Sequence, residues 1–363
     1  MSTIFLLLIL LLGFLITFQI AKASEYVGVL KGEKKNFEQN NRINGFLMIV
    51  FLVLGLIGVY WCNELFRGKI LGESASVHGE DIDRMMYISI AICGVVFIIT
   101  QVILFWFAYK YQHSEKRKAY YFPHDNRLEV IWTVVPAIAL TVLVGFGLFY
   151  WFRITGDAPK EALQVEVTGK QFGWIFRYAG KDQVFGKKYF QNISDKDNNA
   201  LGLLWDDPAT HDDIVVQSTM YIVKGQAVKL IINSRDVVHD VGLVYFRQKM
   251  DAVPGTPTTL WFIPKFTTDE MKVKMGNPDF EYEISCDQMC GAGHYTMRGI
   301  VKVVTPEEFI LWKAKQTPNY AQVFPDKAPA GPGGVPAKSD TAKATAAIMN
   351  PGATADKSLA QKN

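Results

Sequence analysis

The chain has 363 residues, 49% of them hydrophobic, with a formal net charge of +3 and four cysteines. That length holds a soluble domain together with several membrane spans, and a positive mean hydropathy argues against a purely soluble protein. A nearly balanced charge, with basic residues beside apolar runs and no basic stripe, gives nucleic acid binding no support. Four cysteines are too few for a disulfide scaffold.

Four apolar runs, at about residues 3–20, 44–62, 86–109 and 130–152, approach or reach the ~20 residues that a helix needs to cross a bilayer. None has a charge in its interior. Cys62 and Cys93 fall at the end of one run and inside the next, and read as small buried hydrophobes. Ala21-Lys22-Ala23 resembles a signal-peptide cleavage site, but no Lys or Arg precedes the first run. Basic residues collect between the first two runs (Lys22, Lys31, Lys34, Lys35, Arg42) and between the last two (Lys110, Lys116, Arg117, Lys118, Arg127). Such loops stay inside. With all four helices retained, both basic loops are inside and everything after residue 152 is outside.

From about residue 160 short β-rich stretches follow one another, at 163–168, 220–223, 227–232, 258–263 and 299–304, separated by turn residues. Without intervening helical periodicity they predict an antiparallel sandwich or barrel. The Asp, Asn and Gly-rich segment 182–213 reads as an insertion or long surface loop, the most mobile part of the domain. Beyond about residue 325, Pro, Ala, Gly, Lys and Ser dominate, which predicts a disordered tail. The expected organisation is therefore two helices in 1–65, a transmembrane hairpin in 86–152, a β domain in 160–315 and a tail in 326–363.

The chemistry lies in Cys286-Asp287-Gln288-Met289-Cys290-Gly291-Ala292-Gly293-His294-Tyr295-Thr296-Met297, with His239 upstream in Asp236-Val237-Val238-His239. Thiolate and thioether ligands select copper over hard cations, and thiolate, imidazole and a weak Met together mark copper electron-transfer centres. A mononuclear site of that kind needs one Cys. The second allows two thiolates to bridge two ions, with His239 and His294 capping one each. Sharing an electron over two ions and two sulfurs keeps the structural change on reduction small. Gly291 and Gly293 let the loop fold back on itself. Taken singly, Cys286 and Cys290 also suit a strained disulfide, His239 a surface or core histidine, and Met297 core filler. Zinc fits the cysteines and histidines but leaves Met297 unexplained.

With this Cys-x-x-x-Cys-x-x-x-His-x-x-Met spacing the chain resembles subunit II of cytochrome c oxidase, over about residues 86–315. Further matches are Glu129-Val130-Ile131-Trp132-Thr133-Val134-Val135-Pro136, the Asp236 to His239 string, and Asp251-Ala252-Val253-Pro254-Gly255. After the four transmembrane helices read from the apolar runs, the resemblance implies a cupredoxin-like Greek-key β-sandwich or barrel carrying a centre of two copper ions. Cys286 and Cys290 then bridge the coppers, His239 and His294 bind through imidazole, Met297 binds weakly, and the Gln288 carbonyl is a further ligand. The family usually has Glu at 288, shared with a magnesium ion at the interface with subunit I. An amide is a poorer ligand for a hard cation, and Asp251 matches a residue near that ion.

The resemblance also places Glu129 at the mouth of a proton path. It aligns Gly169-Lys170-Gln171-Phe172-Gly173-Trp174 with an aromatic stretch whose first tryptophan receives the electron. Here Phe172 stands in that tryptophan's place and Trp174 is retained. Asp206, Asp207, Asp212, Asp213, Asp236 and Asp240 are acidic residues able to attract a basic donor. The implied function is acceptance of electrons from cytochrome c, or a cytochrome c-containing complex, and their passage to haem in subunit I. Oxygen is reduced to water there, coupled to proton translocation, and this chain holds no catalytic residue or haem. The implied location is a bacterial inner membrane, with the copper domain on the periplasmic side. The helices before residue 86 depart from the usual two-span member. A copper chaperone or thiol-disulfide protein, a copper-free quinol oxidase subunit and nitrous oxide reductase share parts of this pattern. The several spans, the β-rich domain and the full ligand set set the chain apart from each.

Overall fold

The computed structural model describes residues 2–67, 72–114 and 116–327. Four long helices come first: α1 (Ser2–Lys31), α2 (Glu33–Phe66), α3 (Val77–Lys110) and α4 (Asn126–Thr155). All four are long and apolar enough to cross a membrane. α1 runs unbroken through Ala21-Lys22-Ala23, and only Gly32, at φ 82, separates it from α2. Ser76 caps α3 by accepting from Gly79 N–H, and Asp125 caps α4 by accepting from Arg127 and Leu128 N–H. α4 has no buried residue. Its apolar faces therefore call for lipid or another subunit. Cys62 and Cys93, expected in a core, are exposed on these helices instead. A membrane span has no aqueous side, so an apolar residue there has no reason to turn inward.

Ten strands follow among the described residues: β1 (Leu163–Lys170), β2 (Gly173–Tyr178), β3 (Ile214–Gln217), β4 (Thr219–Val223), β5 (Val228–Ser234), β6 (His239–Leu243), β7 (Gln248–Ala252), β8 (Thr258–Phe262), β9 (Tyr282–Cys286) and β10 (Arg298–Val304). One sheet has the order β3-β2-β1-β5-β8, the other β4-β10-β9-β6-β7. The pairings are mixed: β1 with β5 and β10 with β4 are parallel, while β5–β8, β6–β7, β6–β9 and β9–β10 are antiparallel. Alternation along β10 puts Val301 and Val303 inside with Ile300 out. Val165, Val167, Phe176, Leu230, Phe246, Phe262 and Tyr282 complete a core of fully buried side chains. Short helices α5 (Thr268–Met275) and α6 (Pro306–Ala314) each begin with a capping box, Thr267 with Glu270 and Thr305 with Glu308.

The described residues divide into two compact units, and the second consists of residues 178–215 and 316–327. Within it, the segment expected to be a loose loop is built of three-residue 3-10 turns around fully buried Leu203, Thr210 and Asp213. Its Asp and Asn side chains tie the backbone. Asn199 bonds both N–H and C=O of Leu203, and Asp212 accepts from Lys181 N–H at 2.6 Å. Trp205 packs against Tyr320 and Phe324, the former on helix α7 (Asn319–Val323). Folded chain thus continues beyond residue 315, and residues 328–363 of the expected tail lie outside the described residues.

Candidate metal centre

Three neighbouring elements bring the soft side chains together. β9 ends at Cys286, whose Cα lies in register with Val241 of β6. β6 begins at His239. The loop after β9 returns so that Cys286 N–H donates to Met297 O at 3.1 Å, which closes it. Within it His294 N–H donates to Gly291 O at 3.1 Å and Met297 N–H to His294 O at 3.2 Å. Gly291 has φ 132, a backbone region that only glycine enters freely.

Cys286 Sγ lies 3.7 Å from His239 Nδ1, 3.8 Å from Cys290 Sγ and 3.1 Å from the Gln288 carbonyl. Cys290 Sγ lies 3.8 Å from His294 Nδ1 and 3.8 Å from Met297 Sδ. His239 and Met297 are fully buried, Cys290 is 4% and Cys286 7% exposed. His294 is the one partly exposed side chain of the five. A sulfur separation of 3.8 Å rules out the disulfide, which needs ~2.05 Å. It suits two thiolates on a shared ion, because sulfurs each ~2.3 Å from a tetrahedral centre lie ~3.8 Å apart. Without a metal, burial and the neighbouring Cys286 push the Cys290 thiol up to about 11. A bound cation displaces that proton.

His239 is oriented from behind. Asp236 Oδ1 accepts from His239 Nε2 at 2.7 Å, which leaves the Nδ1 lone pair facing the sulfurs. Partial burial works against ionisation of Asp236, but bonds from Gln171 N–H, His239 and Val237 N–H hold its carboxyl below the usual range. Gln171 also donates its side-chain N–H to Cys290 O at 2.5 Å. Gly169 permits the close approach of β1, since a Cβ there would lie 2.8 Å from His239 Cδ2. The Phe172 ring lies over the loop, within 2.5 Å of where a Cβ on Gly293 would be.

The other expected residues fall elsewhere. Of the two aromatic residues expected at the electron-receiving surface, Phe172 is 41% exposed but Trp174 only 1%. Trp174 is packed edge to face against His239, with ring centroids 6.2 Å apart, so no donor touches it directly. Asp251 bonds Asp240, its register partner across β6 and β7. Burial and the neighbouring Asp251 and Asp287 push the Asp240 carboxyl up to about 7. Buried Asp240 and Asp213 are not surface lures for a basic donor. Glu129 lies in the first turn of α4, at the far end of that helix from the β domain, 3.8 Å from His124. The roles of Asp236, Gln171 and Gly169 were not read from sequence, although the three-residue spacing from Asp236 to His239 carried the signal for the first.

Two thiols, two imidazoles and a thioether at one corner of a β-sandwich, on a chain with membrane-spanning helices, define a membrane-anchored copper domain. Family comparison agrees. Residues 67–149 match the model of the cytochrome c oxidase subunit II transmembrane domain, and residues 163–304 that of its periplasmic domain. The chain is 34% identical over 238 residues, 65% of its length and 80% of the relative's, to the alternative cytochrome c oxidase subunit 2 of Bradyrhizobium diazoefficiens. It is 24% identical to cytochrome c oxidase subunit 2 of Cereibacter sphaeroides, over 62% of this chain and 72% of that one. A crystal structure of the periplasmic domain of cytochrome oxidase subunit II from Bradyrhizobium japonicum is similar at 20% identity and TM-score 0.30, covering 43% of this chain and 94% of that one. The chain belongs to the cytochrome c oxidase subunit II family. α1 and α2 precede both matched stretches.

Proposed function

We propose that this subunit receives electrons on its outer side at a centre of two copper ions and hands them to haem in subunit I, where oxygen is reduced. The observation that carries this reading is the pair of sulfurs 3.8 Å apart, each with an imidazole Nδ1 at 3.7 or 3.8 Å. Cys286 and Cys290 would bridge the coppers, His239 and His294 would cap one each, and Met297 Sδ and the Gln288 carbonyl would be the weak outer ligands. Such a pair supplies a one-electron carrier that changes little in shape when reduced.

The chain's own residues do the rest. Asp236 fixes the tautomer and ring plane of His239, and Gln171 holds the Cys290 carbonyl. Phe172 covers Gly291 and Gly293 in the loop that joins Cys290 to His294. With Trp174 buried, the electron arrives by way of Phe172 or the exposed edge of His294. Held by these residues, the copper pair would supply a one-electron relay between the donor and the haem of subunit I. The donor class is cytochrome c or a complex containing one, and the oxygen chemistry in subunit I is coupled to proton translocation, with Glu129 at the mouth of a proton path. Asp251 and Gln288 offer one carboxylate and one amide, so a magnesium ion at this face would draw its remaining oxygens from subunit I.

The test is Cys290→Ser in the purified oxidase. The wild-type centre gives a seven-line electron paramagnetic resonance pattern from one electron shared by two copper nuclei, and the variant loses it along with donor oxidation. A variant with unaltered copper content, spectrum and turnover removes the basis of the assignment.

A further inference from the structure

The turn between β6 and β7 holds a feature that the metal chemistry does not use. Arg247 sits there at φ 56, in the left-handed region where glycine is favoured and a side chain is not. A residue keeps such a conformation where its surroundings over-determine it. Here the guanidinium does so. Its Nε donates to Asp83 Oδ1 at 2.9 Å and its Nη2 to Asp83 Oδ2 at 3.1 Å, a bidentate pair with α3. Nη2 also donates to Gly72 O at 2.6 Å, and Nη1 to Val244 O at 2.9 Å. The arginine side chain is 7% exposed and Asp83 18%.

α3 is cut to receive it. A Cβ on Gly79 would lie 2.9 Å from Arg247 Cγ and would strike the Ser74 hydroxyl as well. The turn is also gripped at the two residues before the arginine. Ala75 N–H donates to Tyr245 O at 2.8 Å, and Ser76 Oγ donates to Phe246 O at 2.7 Å. From this turn β6 leads straight to the metal loop. Its five residues end at His239, and Val241 is in register with Cys286. At ~3.4 Å per residue the strand is about 14 Å long, a paired and therefore stiff rod between the clamp and two of the donor side chains.

We propose that Arg247 is a positioning residue. Its clamp on Asp83 and Gly72 sets the height and orientation of the metal loop above the membrane hairpin, and so the gap that the electron crosses to subunit I. The inference rests on the electron-transfer reading above. Because electron tunnelling falls exponentially with separation, a clamp of this kind acts on the onward step and leaves the donor sulfurs and imidazoles in place.

Arg247→Gly in the assembled oxidase tests it, since glycine takes the left-handed backbone and only the clamp is lost. Amide exchange of residues 74–79 rises, the copper spectrum and the rate of reduction by the donor stay as in wild type, and onward transfer to haem after flash reduction slows severalfold. Asp83→Asn gives the same pattern more weakly, and it decides the matter should the glycine variant not assemble. An unchanged onward rate in both variants overturns the proposal, whether or not amide exchange rises. A wild-type oxidase without the two-copper spectrum overturns it as well. Amide exchange, which needs no copper, then tells that failure of the metal reading from a failure of the clamp.

Discussion

Asp236→Asn isolates the second layer of the metal centre. The Asp236 carboxylate accepts from His239 Nε2 at 2.7 Å, and the imidazole is fully buried while the carboxylate side chain is 31% exposed. An amide oxygen still accepts that bond but carries no charge. A hydrogen bond to a charged group contributes about 1.5–3 kcal/mol and a neutral one about 0.5–1.5. The substitution therefore removes about 1–2 kcal/mol from the state in which His239 bears more positive charge, the oxidised one. At ~59 mV per 1.4 kcal/mol for one electron this raises the reduction potential by about 40–80 mV. Partial exposure of Asp236 puts the expected value at the lower end. The same loss weakens copper binding about tenfold, as for other outer partners of metal-bound histidines. Spectroelectrochemical titration of the copper-loaded protein measures the potential directly. An unchanged potential in a variant that retains its copper would mean that the carboxylate does not reach the metal through the ring, and the account of His239 would fail.

Two further perturbations test the packing and the acidic cluster. Gly169→Ala puts a methyl group 2.8 Å from His239 Cδ2, and His239 has no room to move because Asp236 and the sulfurs hold it on both sides. It should cost about 1–3 kcal/mol of stability and lower the copper content, read by thermal melts with metal analysis; a variant as stable and as copper-rich as wild type refutes the contact. Asp240, with its carboxyl pushed up to about 7 from an unfolded value of 3.8, makes the metal-free chain less stable as pH rises between those values. Below that window both states hold the proton. Within it the unfolded chain releases the proton first, so stability falls by at most ~1.4 kcal/mol per pH unit, and the loss is complete above the folded value. Asp240→Asn should flatten that part of the curve in denaturant melts at stepped pH, and identical slopes for the two proteins would exclude the effect.

The helices and the metal loop were legible in the sequence because each has a strong local cause. Twenty apolar residues have few uses outside a bilayer, and Cys-x-x-x-Cys-x-x-x-His-x-x-Met concentrates soft ligands as chance does not. β6 and β9, which carry His239 and Cys286, were not legible as strands, because glycine, aspartate and polar residues dilute their alternation. They are strands because neighbours on both sides supply their hydrogen bonds. The segment 182–213 is a strand-free loop as its composition implies, but its tied backbone was not legible, for a related reason. Composition alone does not distinguish an Asp that faces water from one that caps a turn or accepts from a backbone N–H, and Asp207 and Asp212 do the latter. Burial of Trp174 depended on which face of β2 met β6, a matter of sheet packing.

A centre built from two strands and a loop gains something that a single loop lacks. Cys286 is fixed by its place on β9, and His239 by β6 together with Asp236. The return of the loop is fixed by the bond from Cys286 N–H to Met297 O, so strand pairing, one side-chain bond and one backbone bond set the donor positions before any ion arrives. Fast one-electron transfer asks that the ligands move little between oxidation states, and donors held by a paired scaffold cannot follow the metal far. The same stiffness joins the donors to the turn at Arg247 and through it to α3. Rigidity at the metal and registry with the membrane hairpin are therefore two consequences of one strand. A change that loosens β6 should disturb both the spectrum and the onward rate, whereas one confined to the turn should disturb only the second.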